Sequence, residues 1–220
     1  MDKGNFSWLL AALLVFLLGV PLADDLMMLS GPVVKSLVFS CLLVIGVWSL
    51  QGSGRFFSVG ITLVIAGITL NVLAAIFPST VFLYGSLAAL FGFLLISIFW
   101  TFNQVVLSTE ISANRLVGAV CIYLLLGVIW AVAYSILGMA FPGSFQGFSP
   151  LADPEWDSEW LYFSFVTMTT LGYGDISPVS ATARALAYIQ AIFGQFYIAI
   201  LVAGLVGAHI LRRDNTKADE

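Results

Sequence analysis

Apolar residues fall in long blocks separated by short polar breaks. The blocks occupy residues 6–22, 32–50, 56–77, 81–102, 116–141 and 185–211. A bilayer core of about 30 Å takes about 20 helical residues to cross, so each block predicts a spanning helix, the first only just. A seventh apolar stretch, 159–169, has 11 residues and is too short to cross. It predicts a helix that enters the membrane and turns back. Irregular backbone at that depth is tolerated where protein or a water-filled path surrounds it.

Composition agrees with the blocks. The 220 residues are 60% hydrophobic and only 9% charged, which excludes a soluble domain of this length and points to a polytopic membrane protein. One His and two Cys offer no metal-ligand spacing. Cys41 and Cys121 both lie in apolar blocks and read as buried, reduced thiols. The net charge of −4 arises mostly outside the blocks and does not indicate a nucleic-acid partner. The first block has a second reading as a cleaved signal peptide, with Lys3 before it and Ala23 ahead of Asp24-Asp25. The weak basic region and Pro21 favour a retained helix.

Charge asymmetry orients the chain. With the N-terminus inside, cytoplasmic ends carry Lys3, Arg55, Arg115, Arg212, Arg213 and Lys217, and outer ends carry Lys35 and Arg184. That bias obeys the positive-inside rule and places both termini in the cytoplasm. It also puts the loop before the last block outside. There Asp153, Glu155, Asp157 and Glu159 form an acidic turret, which keeps the loop solvated or concentrates cations. Trp8, Trp48, Trp100, Trp156 and Trp160 fall near block ends, as interfacial belts do. The connector 103–114 mixes Val105, Val106, Leu107 and Ile111 with polar residues and predicts a short interfacial helix or a plain linker. Asn71 reads as a helix–helix hydrogen bond inside the membrane.

The chemistry concentrates in Thr167-Met168-Thr169-Thr170-Leu171-Gly172-Tyr173-Gly174-Asp175. Successive carbonyls can face one axis only if the backbone alternates between right- and left-handed conformations, and Gly172 and Gly174 take the left-handed ones without steric cost. Thr170-Leu171-Gly172-Tyr173-Gly174 resembles the selectivity filter of potassium channels, a Thr-Val-Gly-Tyr-Gly loop whose carbonyls replace the hydration shell of the ion. Leu171 stands for Val and the other positions agree. The resemblance implies potassium bound at Thr170, Leu171, Gly172 and Tyr173, with Thr170 adding its hydroxyl at the inner end. Leu171 and Tyr173 then point away from the ion and wedge against the pore helix. Tyr162, Phe163, Val166, Thr167, Thr169 and Asp175 support the loop.

From Leu116 to Arg213 the chain is similar to the two-helix pore module of prokaryotic ion channels: outer helix, turret, pore helix, filter and inner helix. It departs from many members at three positions. Tyr162-Phe163 replace a Trp-Trp pair, so Tyr162 can donate a hydrogen bond to Asp175 and Phe163 cannot. Val166 stands where some members carry a Glu paired to that Asp. Gly194, 20 residues after Gly174, matches the spacing of the gating-hinge glycine of the inner helix, and close helix packing is an equal reading. Four helices before a pore suggest a voltage sensor by position. The block 81–102 has no Lys or Arg, and a sensor needs charges worth about 2.3 kcal/mol each per 100 mV. Steep voltage gating is therefore not expected.

These readings combine into one expectation: an all-α membrane protein with six transmembrane helices, one re-entrant pore helix and a selectivity-filter loop. A four-helix domain spans 1–102, an interfacial linker 103–114, and a pore domain 115–220. One filter per chain implies a homotetramer. The expected function is passive, potassium-selective conduction in a prokaryotic inner membrane, with its own copies, membrane lipid and potassium ions as partners. No enzyme activity and no organic cofactor are expected. Two alternatives stay open, a weakly selective monovalent cation channel and a non-conducting scaffold or sensor that keeps the pore motif. Gly172-Tyr173-Gly174-Asp175 also fits the Gly-x-Gly-Asp loop of intramembrane aspartyl proteases. That chemistry needs two carboxylates, and no block carries a second one mid-helix.

Overall fold

The computed structural model describes residues 6–26, 54–77, 79–107, 113–149 and 158–218. Among the described residues the chain is all-α apart from one two-residue strand pair. Its helices are α1 (Phe6–Leu26), α2 (Arg55–Ile76), α3 (Thr80–Leu107), α4 (Ala113–Ala140), α5 (Ser158–Met168) and α6 (Ala181–Ala218). Among the described residues, four helices are long and apolar enough to cross a membrane, namely α2, α3, α4 and α6. The apolar part of α1 is the shorter Phe6–Leu22. The block 32–50, Cys41, Trp48 and Trp156 lie outside the described residues.

The helix ends follow local chemistry. Ser180 caps α6: its Oγ accepts from the Ala183 backbone N–H at 3.2 Å, so the helix starts four residues before the apolar block. At the other end α6 runs on to Ala218, because no Pro or Gly interrupts 208–218. The expected boundary after Phe102 is absent. Nothing in Asn103-Gln104-Val105-Val106-Leu107 breaks a helix, and those residues extend α3.

Packing fixes the directions. Leu70 lies against Gly85 and Leu63 against Gly92, so α2 and α3 are antiparallel. Val105 meets Gly118 across the short turn into α4, which makes α3 and α4 antiparallel too. Phe6, at the start of α1, sits beside the start of α4: its N–H donates to Asn114 Oδ1 at 3.0 Å, and its ring touches Gly118. Farther along, α1 reaches α5, so α1 and α4 run side by side in one direction.

The core follows α4, with α3 packed along it and α5 against its second half, around the fully buried Tyr134, Phe93, Leu87, Leu90, Leu94 and Met168. Lipid is as apolar as these side chains, so close contact rather than water exclusion holds such helices together. Small residues on α4 allow it. A methyl on Gly127 would fall 2.3 Å from the Phe165 ring, and one on Gly138 would fall 2.6 Å from the Trp160 ring. The two glycines are 11 residues, about three turns, apart on one face of α4, and α5 is pressed against that face. Trp160 is therefore 5% exposed, inside a cluster with Phe145, Phe148 and Phe163, and is not part of an interfacial belt. Asn71 Oδ1 is buried without a hydrogen bond among the described residues.

Candidate functional site

The short helix α5 sets the site. Its first turn touches Gly138 near the end of α4, and Phe165 touches Gly127 at the middle of α4. At 11 residues its length is about 16 Å, half a hydrocarbon core. Along α6 it runs the other way round, with Ser164 against Gln190 and Met168 against Gly194. After Met168 the chain turns back. Phe145–Gln146 pair antiparallel with Ser177–Pro178, and the Ser144 carbonyl accepts the Val179 N–H at 2.8 Å. The segment from α5 to Asp175 is thus re-entrant. It goes in beside the end of α4 and returns to the same end.

The returning loop has the expected backbone alternation. Gly172 and Gly174 have φ of 57° and 83°, and Thr170, with φ of 59°, is the one positive-φ residue other than glycine among the described residues. Three left-handed residues at alternate positions rotate successive peptide planes so that neighbouring carbonyls can share an outlook. A left-handed Thr is uncommon, and the sequence does not signal it. Its cause is the end of α5. The Val166 carbonyl accepts both the Leu171 N–H at 3.0 Å and the Gly172 N–H at 3.3 Å, while the Thr167 carbonyl accepts the Thr170 N–H at 3.0 Å. That closure of a helix C-terminus brings one residue into the left-handed region, normally a Gly. Thr169 Oγ1 donates to the Phe165 carbonyl at 2.7 Å and Thr170 Oγ1 to the Thr169 carbonyl at 2.7 Å.

The supporting residues separate into two groups. Tyr162 faces the loop: its hydroxyl donates to Asp175 Oδ2 at 2.5 Å, and its ring lies parallel to that of Tyr173, centroids 6.5 Å apart. Tyr173 thereby lies over Tyr162 of α5 and is otherwise largely exposed. Phe163 faces the opposite way and is buried between Tyr134 and Phe145, 4.8 Å and 5.5 Å between centroids. Val166 contributes its carbonyl, and Thr167 likewise. Leu171 is 54% exposed in the single chain.

Two features of the site went unread in the sequence. One is Gly147, with φ of 96°, where an added methyl would fall 1.8 Å from the Asp175 carbonyl oxygen. The other is a buried polar chain behind the loop. Gln190 Nε2 donates to the Ser164 carbonyl at 3.0 Å and to Ser164 Oγ at 2.7 Å, and its Oε1 accepts from the Tyr134 hydroxyl at 2.5 Å. Ser164 Oγ in turn donates to the Gly127 carbonyl at 2.7 Å. A Gln inside an apolar block was the available signal, shared with Gln195 five residues on. Gly194 has a packing reason for being glycine: a methyl there would fall 2.3 Å from the Met168 carbonyl oxygen. Of the acidic turret, Glu159 is described, and its carboxylate accepts the Ser149 N–H at 3.0 Å and 3.2 Å. Asp153, Glu155 and Asp157 lie outside the described residues.

Asp175 sits beyond the spanning segments and its carboxyl is held below the ordinary carboxylate range, chiefly by the Tyr162 hydroxyl; desolvation is the next influence and opposes it, and the backbone N–H groups of Ile176 and Asp175 lower it further. A lowered acid pKa means that its contribution is present above the unfolded value and is lost as pH falls through the folded one. The charge at this position therefore persists to lower pH than that of an ordinary aspartate. In Tyr162→Phe the Asp175 pKa is expected to rise toward its ordinary value. Titration of the Asp175 carboxyl by carbon NMR checks this, and an unchanged pKa contradicts the role of the hydroxyl.

Residues 119–208 match the family model described as "Ion channel". A segment of 82 residues, 36% of the chain, is 33% identical to "Two pore potassium channel c" of Oryza sativa subsp. japonica, and it spans 18% of that protein. A segment of 46 residues, 21% of the chain, is 44% identical to "Two-pore potassium channel 5" of Arabidopsis thaliana, and it spans 11% of that protein. The matched part is thus less than a fifth of either relative. No solved structure matches the chain. The matched segment runs from the first half of α4 through the loop to α6 and so contains the whole re-entrant site, in a chain with four helices long and apolar enough to cross a membrane among its described residues.

Proposed function

We propose that the chain forms a potassium-selective channel in which four copies surround one pore and each supplies a quarter of every carbonyl ring. The observation that carries this reading is the left-handed backbone at Thr170, Gly172 and Gly174, set at the end of a half-length re-entrant helix. Potassium binds at the oxygens of Thr170, Leu171, Gly172 and Tyr173, with Gly174 completing the loop. The C-terminal end of α5, with its partial negative charge, faces the inner side of these sites and favours a cation there. Exposure supports assembly. Leu171 and Tyr173 are 54% and 68% exposed, and Ile192, Phe193, Phe196 and Ile200 of α6 are all half exposed or more, so a neighbouring copy or lipid must cover them.

The full molecule has six transmembrane helices. Among the described ones, α1, α2 and α4 share a direction, so α1 ends on the face opposite to the start of α2, which supports a crossing between them. Loop charges support cytoplasmic termini, and likeness to prokaryotic pore modules supports a prokaryotic plasma membrane, although the matched relatives are plant proteins. Gly194 serves close packing first and a gating bend second.

Purified chain in liposomes should carry potassium inward when a gradient is imposed, with block by barium. Reversal potentials in mixed sodium and potassium should follow potassium, and the conductance–voltage curve should be shallow because α3 has no Lys or Arg. A reversal potential at zero in sodium against potassium gives a weakly selective cation channel, the reading that Leu171 favours. No flux of any cation leaves a scaffold.

A further inference from the structure

We infer that Gln190 is a positioning residue of the filter, locking the inner helix to the pore helix so that motion of α6 is felt at the loop. The inference rests on the channel reading above. Gln190 is 0% exposed in a helix that is otherwise the least buried of the spanning ones. Its amide spends both N–H groups on Ser164 and its oxygen on Tyr134, so one side chain ties α6 to α5 and α4. Ser164 extends the chain to the Gly127 carbonyl. Every polar atom named in this chain has a partner, which is the condition for a buried network to rigidify its surroundings.

The register makes the lock effective. Gln190 and Gly194 are one turn apart on α6, and they meet Ser164 and Met168, one turn apart on α5. At the upper point hydrogen bonds hold the two helices. At the lower point backbone nearly touches backbone, 2.3 Å from a built methyl to the Met168 carbonyl oxygen. Two points fix direction as well as distance, so α6 cannot tilt or rotate there without carrying the end of α5. That end holds the Val166 and Thr167 carbonyls that close onto Thr170, Leu171 and Gly172. A bend of α6 confined to residues beyond Gly194 leaves the loop undisturbed. A movement that reaches Gln190 shifts the ion-binding oxygens.

The test compares Gln190→Leu and Tyr134→Phe with Leu90→Val, a core change on α3 at a fully buried residue with no polar role. Full-length protein in liposomes is read for the rubidium-to-potassium permeability ratio and for the rate at which current declines under a constant gradient. Melting temperature in detergent controls for general destabilisation. Gln190→Leu is expected to change the rate of decline about tenfold and to move the permeability ratio, since losing a buried hydrogen-bond network shifts an equilibrium by about that factor. Tyr134→Phe is expected to move both in the same direction, less far, with its packing retained. Leu90→Val is expected to lower the melting temperature while leaving both filter readouts unchanged. Should Gln190→Leu fail to fold, Tyr134→Phe alone decides. Unchanged filter readouts in Tyr134→Phe, or equal changes in Leu90→Val, overturn the inference. Absence of flux in the unaltered protein sinks the channel reading instead, which keeps the two failures apart.

Discussion

Alanine at position 194 is expected to abolish potassium flux, while alanine at position 204, ten residues along the same helix, leaves it intact. Both changes add one methyl and both improve intrinsic helix propensity by up to about 1 kcal/mol. The surroundings differ. At Gly204 nothing lies within 4 Å of the new methyl, whereas at Gly194 it meets the Met168 carbonyl oxygen at 2.3 Å, the Met168 side chain at 2.9 Å and the carbonyl carbon at 3.2 Å. Overpacking costs typically 1–3 kcal/mol, and the nearest atoms here belong to backbone that cannot rotate away, so about 3 kcal/mol is the relevant end. Relief requires α6 to retreat from the end of α5, the part that closes onto Thr170 and Leu171. Flux and melting temperature, measured side by side, check this. Equal behaviour of the two variants removes the packing account and returns Gly194 to the hinge reading.

Selectivity is expected to fail in Gly147→Ala. Two costs add there. A φ of 96° is unfavourable for any residue with a side chain, by about 1–2 kcal/mol. The new methyl also falls 1.8 Å from the Asp175 carbonyl oxygen and 2.8 Å from its carbon. Asp175 directly follows Gly174, so displacing it tilts the outermost carbonyls of the loop. Gly143→Ala separates the two costs. Its φ of 85° imposes a similar strain and nothing lies within 4 Å. The expected result is a modest drop in melting temperature for Gly143→Ala with the reversal potential unchanged, and a reversal potential moved toward zero for Gly147→Ala. If the two variants share one reversal potential, contact with Asp175 does not hold the mouth.

The apolar blocks locate α2, α3, α4 and α6 because lipid demands length and hydrophobicity, both visible in composition. The length of α5 and the two filter glycines are equally visible, since a half-span and a left-handed backbone leave a direct trace in residue type. The hydroxyl of Tyr162 reaching Asp175 is legible through the resemblance to two-helix pore modules, whose aromatics at that place donate to the Asp. What could not be read depends on contacts between distant segments. Gly147 is one glycine in a polar loop until the strand pair brings it onto Asp175. Phe163 looks like a filter aromatic, and helical periodicity turns it toward Tyr134 instead. Trp160 fits an interfacial belt until the face of α4 opened by Gly138 takes it in. Thr170 carries no mark of its left-handed backbone, which the closure of α5 imposes from outside.

The strand pair between Phe145–Gln146 and Ser177–Pro178 bears on how the molecule is made. It closes within one chain, as do the bonds from Val166 and Thr167 that start the loop. Both ends of the loop are therefore anchored before any second copy arrives. If four copies surround one pore as proposed, a newly inserted protomer brings a finished quarter-ring to its neighbours, and assembly is a docking of preformed parts with the local ordering already complete. Damage to an anchor then acts during biogenesis, as protomers that insert normally and fail to close a ring.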